Sequence, residues 1–79
     1  MSPKPFPHPS IFDQLEFART EAGRKVFRSS DRKRQYTWDS QHGEVEVFDK
    51  QGRHLGVADP TTGRMIKPAK RGRRISKLN

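Results

Sequence analysis

The chain of 79 residues contains no cysteine, so disulfides and thiolate zinc sites play no part and a reducing cytoplasm suits it. No apolar run approaches the length of a membrane span, and the opening MSPKPFPHPS lacks the apolar centre of a secretory signal. The expectation is a soluble, cytoplasmic protein with no membrane partner. Glycine-rich phosphate loops, nucleotide fingerprints and internal repeats are all missing. Apolar residues are scarce too: at 29% of the chain they allow only a thin core, marginal stability and no deep pocket. Acidic residues are outnumbered, nine Asp and Glu against seventeen Lys and Arg, which leaves a net charge of +8. Such a balance belongs to proteins that meet nucleic acid or anionic lipid.

The positive charge is uneven. Residues 1–30 carry five basic and three acidic groups, residues 31–79 twelve and six. From Arg64 to Asn79 there are seven basic residues and no acid. That stretch reads either as an arm that grips phosphates or as a disordered, solubilising tail.

The chain divides near residue 30, giving a unit over 1–30 and a second over 31–79. Residues 2–9 hold four prolines and should be extended or loose. Ser10 is a candidate N-cap with Asp13 three residues on, and Ile11, Leu15, Ala18, Ala22 and Val26 then recur at helical spacing. This predicts an amphipathic helix over 10–22, or to about Arg28 if Gly23 is tolerated, whose stripe covers a sheet or a partner protein. From Gln35 onward the pattern is that of strands divided by turns: Gln35 to Asp39, Glu44 to Phe48, Arg53 to Ala58 and Arg64 to Lys67, separated by SQHG, DKQG and DPTTG. The predicted class is α+β: an N-terminal amphipathic helix packed on a small twisted antiparallel meander of about four strands. Tyr36, Trp38, Val45, Val47, Leu55 and Val57 should form the core. Phe48 should be an exposed stacking platform or a rim contact.

The densest chemistry lies in YTWDSQHGEVEVF, residues 36–48, where His42 and three carboxylates, Asp39, Glu44 and Glu46, surround one predicted turn. Side chains alternate along a strand, so Glu44, Glu46 and Phe48 share one face while Val45 and Val47 take the other. An imidazole titrating near neutrality beside carboxylates is what general acid–base catalysis needs. Such a face suits metal-free cleavage of RNA, whose 2′-OH is its own nucleophile. The protein need supply only a base, an acid and a cation that neutralises the phosphorane, the last a role for which arginine's fork is made. A surface strand bearing Glu-x-Glu beside a histidine is also common in inert proteins. Metal binding by His42 with Asp39 or Glu44 is the weaker option, because one imidazole and carboxylates do not close a zinc site. No cofactor is implied.

The same run resembles the nuclease domain of the ribosome-inactivating colicins and cloacin, in which a similar W-D-S-Q-H-G-E-x-E segment carries the active site. The resemblance continues through His54-Leu55-Gly56, Asp59-Pro60-x-Thr62-Gly63 and a closing basic segment, and covers about residues 32–79. It implies a bacterial toxin, an endoribonuclease that cuts 16S rRNA at the decoding centre of the small ribosomal subunit. By the same resemblance, Asp39, His42, Glu46 and Arg73 are catalytic and Glu44 is a supporting carboxylate. Arg71 and Arg74 are the alternatives to Arg73. The division of labour makes Glu46 the base on the 2′-OH, His42 the acid, Asp39 the group that orients or charges His42, and Arg73 the phosphate clamp; base and acid can also be exchanged. Lys70, Arg71, Arg74 and Lys77 are candidate RNA contacts.

Colicins carry translocation and receptor-binding regions before the nuclease, and residues 1–30 do not resemble the approach to it. The expectation is therefore a freestanding toxin with an antitoxin, or the tip of a larger delivered toxin, acting in the cytoplasm of its own or a target bacterium. In either case an acidic immunity protein or antitoxin should restrain it, steered by the basic surface. The rival from another class is a noncatalytic ribosomal or RNA-binding protein. The acidic cluster argues against it, since carboxylates on a phosphate-holding face weaken binding. A DNA-binding module ranks lower, because no helix combines base-reading side chains with a basic face.

Overall fold

The computed structural model describes residues 9–78. Six strands follow one another along the chain: β1 (Glu16–Glu21), β2 (Arg24–Arg28), β3 (Arg34–Asp39), β4 (Glu44–Asp49), β5 (His54–Ala58) and β6 (Met65–Pro68). They form one antiparallel sheet in the order β1-β2-β3-β4-β5-β6, so each strand pairs with its neighbour in sequence. Strands β3 to β6 are the four-stranded meander read from the sequence, with boundaries moved by a residue or so. The expected proline-rich extended start lies, apart from Pro9, outside the described residues.

The amphipathic helix does not form, and the class is all-β rather than α+β. The described residues hold no α-helix, only a 3₁₀ turn over Ile11–Gln14. Ser10 does cap it: its hydroxyl accepts from the Phe12 amide at 3.2 Å, and the Asp13 carboxylate accepts from the Ser10 amide at 3.0 Å. The helix ends there because the residues that follow are needed as strands. Ala22 and Gly23 have φ of 51° and 78°, and Glu21 pairs with Arg24, which makes a two-residue hairpin turn with both central residues at positive φ. The five apolar positions that mimicked a helical stripe are thereby scattered. Ile11 lies in the 3₁₀ turn, Leu15 caps its end, Ala18 sits at a β-bulge between Phe17 and Arg19, Ala22 makes the hairpin and Val26 lies in β2. The bulge adds a residue to β1 and breaks the period-two alternation that would have marked a strand.

The sheet has two differently used faces. On one, Val45, Val47 and Ala58 are buried with Phe12, and Ile11, Leu15, Phe27, Tyr36, Trp38 and Leu55 pack around them. The 3₁₀ segment closes this face, with Phe12 edge-on to Phe27 at 5.0 Å and to Trp38 at 6.2 Å, and the Ile11 amide donating to the Pro60 carbonyl at 2.8 Å. Residues opposite one another in an antiparallel pair share a face, so Val26, Thr37, Glu46 and Val57 form one row on the other side. Val57, expected in the core, thus lies beside Glu46. Phe48 is 3% exposed, not a stacking platform: its ring meets that of His54 edge-on at 5.2 Å.

The basic C-terminal segment is an ordered strap across this second face. The Ile75 amide donates to the Gly52 carbonyl at 3.0 Å, the Leu78 amide to the Lys50 carbonyl at 2.8 Å and the His54 amide to the Arg73 carbonyl at 3.2 Å. Arg74 bridges Arg53 through the backbone, and Leu78 is buried. Gly52 makes the approach possible, since at φ +90° a Cβ there would stand 1.9 Å from the Ile75 carbonyl oxygen.

Candidate active site

The tight turn between β3 and β4 builds the first half of the site. Asp39 closes β3, and its Oδ1 accepts from the amides of Gln41 and His42 at 3.0 and 3.2 Å, so the side chain organises the loop that displays the imidazole. Asp39 Oδ2 lies 2.8 Å from His42 Nδ1. An ionised carboxylate can only accept, so Nδ1 carries the proton and Nε2 is left for chemistry. Burial raises the Asp39 carboxyl, but hydrogen bonds from the His42 ring and amide, the charge of His42 and the Gln41 amide outweigh it. The net result lies below the usual carboxylate range. His42 itself is 60% exposed.

Glu46, in the middle of β4, is the buried half, 4% exposed between Thr37 and Val57. Its two oxygens are held separately. Oε1 accepts from the Arg73 guanidinium, and Oε2 lies 2.7 Å from His54 Nε2. The backbone amide of Lys70 donates to His54 Nδ1 at 2.8 Å, so that nitrogen bears no proton and Nε2–H must be the donor to Glu46. Glu46 is therefore an anion at rest, aimed by a neutral histidine and paired with an arginine. The alternation expected from the sequence holds, because Glu44 shares the face of Glu46. Its Oε1 binds the Lys67 ammonium at 3.0 Å.

A cleft of about 410 Å³ joins the two halves; Asp39, His42, Glu46, Thr37 and Phe48 line it together with Arg73, Arg74 and Arg24. Among the sequence-chosen residues, the structure brings Asp39, His42, Glu46, Arg73 and Arg74 to this cleft and leaves Glu44 beside it. Arg71 is exposed. Lys70 contributes its amide to the site through His54. Lys77 lines a separate groove beside β1, with Arg19, Glu21 and Arg28. Sequence reasoning missed His54 and Arg24. His54 was legible as an imidazole on the strand pairing with β4; Arg24 was hidden by the helix assignment. Asp39, His42 and Glu44 also offer ligand atoms within 4.8 Å of one another. There Lys67 Nζ lies 3.0 Å from Glu44 Oε1 and Asp39 Oδ2 lies 2.8 Å from His42 Nδ1.

A family model described as Cytotoxic matches residues 12–76. Cloacin of Escherichia coli is 44% identical over 57 residues, 70% of this chain and 10% of that protein. Colicin E3 and colicin-E6 of Escherichia coli are 49% and 46% identical over 43 residues, 53% of this chain and 8% of each relative. The chain thus spans about a tenth of the length of these relatives.

Proposed function

Since the chain belongs to the Cytotoxic family of colicin- and cloacin-type toxin domains, we propose that it is an endoribonuclease that cuts 16S rRNA at the decoding centre of the small ribosomal subunit. The observation that carries this reading is the pairing, within one cleft that also holds Arg24 and Arg74, of a buried anionic Glu46 on Arg73 with an exposed His42 oriented by Asp39. Glu46 takes the proton from the 2′-OH as that oxygen attacks phosphorus. His42, in its doubly protonated form, gives a proton from Nε2 to the departing 5′ oxygen, and a 2′,3′-cyclic phosphate remains. Arg73, 41% exposed in its side chain, is close enough to leave Glu46 for the phosphate and stabilise the phosphorane charge. This transfer also frees Glu46 Oε1 to accept the proton.

The substrate is reached in the bacterial cytoplasm, where ribosomes are. A producer survives through an acidic immunity or antitoxin protein, which the +8 surface attracts by long-range steering. The test is incubation of the purified protein with intact ribosomes. A discrete small-subunit rRNA fragment should appear, also in EDTA at concentrations that leave the ribosomes assembled, and Glu46→Gln and His42→Ala should each abolish it while ribosome binding persists. Near-normal cutting by either variant would remove that residue from the mechanism. Harmless high-level expression of the folded wild-type chain would overturn the toxin reading.

A further inference from the structure

The largest fully buried side chain among the described residues is polar. Gln35, in β3, has 0% exposure and sits under the strap. A buried primary amide must satisfy one acceptor and two donor hydrogens, and Gln35 does so completely. Its Oε1 accepts from Arg19 Nη1 at 2.8 Å, and its Nε2 donates to the carbonyls of Asp49 and Ser76, each at 3.1 Å. The Ser76 carbonyl receives a second bond from Arg19 Nη2 at 3.0 Å. The Ser76 amide donates to Glu21 Oε2 at 3.0 Å, and Glu21 is held in turn by Arg19 Nε at 2.9 Å. Both backbone groups of Ser76 are therefore clamped by three side chains from β1 and β3.

None of these groups is bonded to Glu46, His42 or Arg73, although Glu21 lines the same cleft, and Ser76 follows Arg73 by three residues on a strap with no strand or helix of its own. On the other side the strap is tied to the β4–β5 turn and to the start of β5 by the Ile75 and Leu78 amides, the Arg73 carbonyl and the Arg53–Arg74 bridge. Without the Ser76 clamp, it is held along that edge alone. Resting on the reading of Arg73 as the phosphate clamp, we propose that Gln35, with Arg19 and Glu21, is a positioning residue of the cleavage reaction: it fixes Ser76 so that the Arg73 guanidinium stands between Glu46 and the substrate phosphate.

Gln35→Met preserves volume and removes all three hydrogen bonds. With intact ribosomes it should lower kcat about tenfold or more and leave KM within about twofold, because charge attraction is unchanged while the arginine is misplaced. In an Arg73→Ala background the same substitution should change kcat by less than about twofold, since the group it positions is already gone. A merely structural role would leave the two effects multiplicative, and that result would overturn the proposal, as would an unchanged kcat. Should Gln35→Met fail to fold, Glu21→Ala carries the same cycle from the half-buried rim of the clamp. Amide hydrogen exchange gives a readout free of activity: exchange at Ser76 should accelerate about tenfold in either variant, and unchanged protection would refute the clamp. A wild-type protein that leaves rRNA intact would overturn the ribonuclease reading instead, and the exchange data then decide the clamp alone.

Discussion

Replacing His54 by alanine should be among the most damaging single changes to the stability of this domain, although His54 is not one of the residues proposed to move protons. The substitution removes a donor to Glu46 Oε2 and an acceptor for the Lys70 amide, both in a region where the side chains are 1% and 6% exposed. A hydrogen bond to a charged group contributes about 1.5–3 kcal/mol, and a buried amide left unpaired costs about 1–3 kcal/mol. Together they give a loss of roughly 3–5 kcal/mol before the lost packing on Phe48 is counted. A domain of this size has a total stability of roughly 4–12 kcal/mol. At about 4–8 °C per kcal/mol, Tm should fall by at least about 12 °C. Differential scanning calorimetry on His54→Ala, with His54→Gln as a variant that keeps one of the two bonds and falls between, provides the assay. A shift under about 4 °C would show that Glu46 is not held through His54 and that the deduced neutral tautomer is wrong.

Gly52→Ala should displace the strap, since the new Cβ overlaps the Ile75 carbonyl; cleavage and Tm should both drop, and a variant with wild-type melting and activity would contradict the close approach. Acid should destabilise the fold through Asp39, whose folded carboxyl lies below its unfolded value. The contribution is present above the ordinary value of about 3.9 and disappears as pH falls through the lower folded one, so Asp39→Asn should flatten the stability profile below about pH 4. Denaturant melts between pH 2 and 6 would reveal it, and identical profiles for the two proteins would refute it. Neutralising Lys77 should weaken ribosome association and reduce the slope of its salt dependence by about one, without altering kcat, whereas Arg73→Ala should lower turnover more than affinity; titrations across ionic strength separate the two.

The strands β3 to β6 were legible because each carries its own punctuation: SQHG, DKQG and DPTTG are turn sequences whose chemistry acts within four or five residues. The pairing of Glu44 with Glu46 on one face followed from period two alone. The first hairpin was not legible, for local reasons. Its turn uses Ala22-Gly23 rather than a strong turn dipeptide, and the bulge at Ala18 shifts the alternation. The leftover apolar spacings of three and four then imitate a helix. The carboxylate and histidine of the β3–β4 turn are neighbours in sequence and could be found there. The contacts of Glu46 with Arg73 and His54 depend on sheet register and on the path of the strap, which no short-range pattern encodes.

The sheet order has a kinetic meaning. Every strand pairs with its neighbour in the chain, so the sheet can assemble as successive hairpins whose loops are short to close. The strap differs, because its contacts span 41 residues to Gln35 and 55 to Glu21. Loop-closure entropy therefore makes the docking of these contacts a late step in folding and their release an early one when the protein is warmed. The expectation is that sheet pairing outlasts the Arg73–Glu46 contact, so that activity is lost before the fold. Heat inactivation should precede the unfolding seen by circular dichroism, with activity returning as soon as the strap docks again.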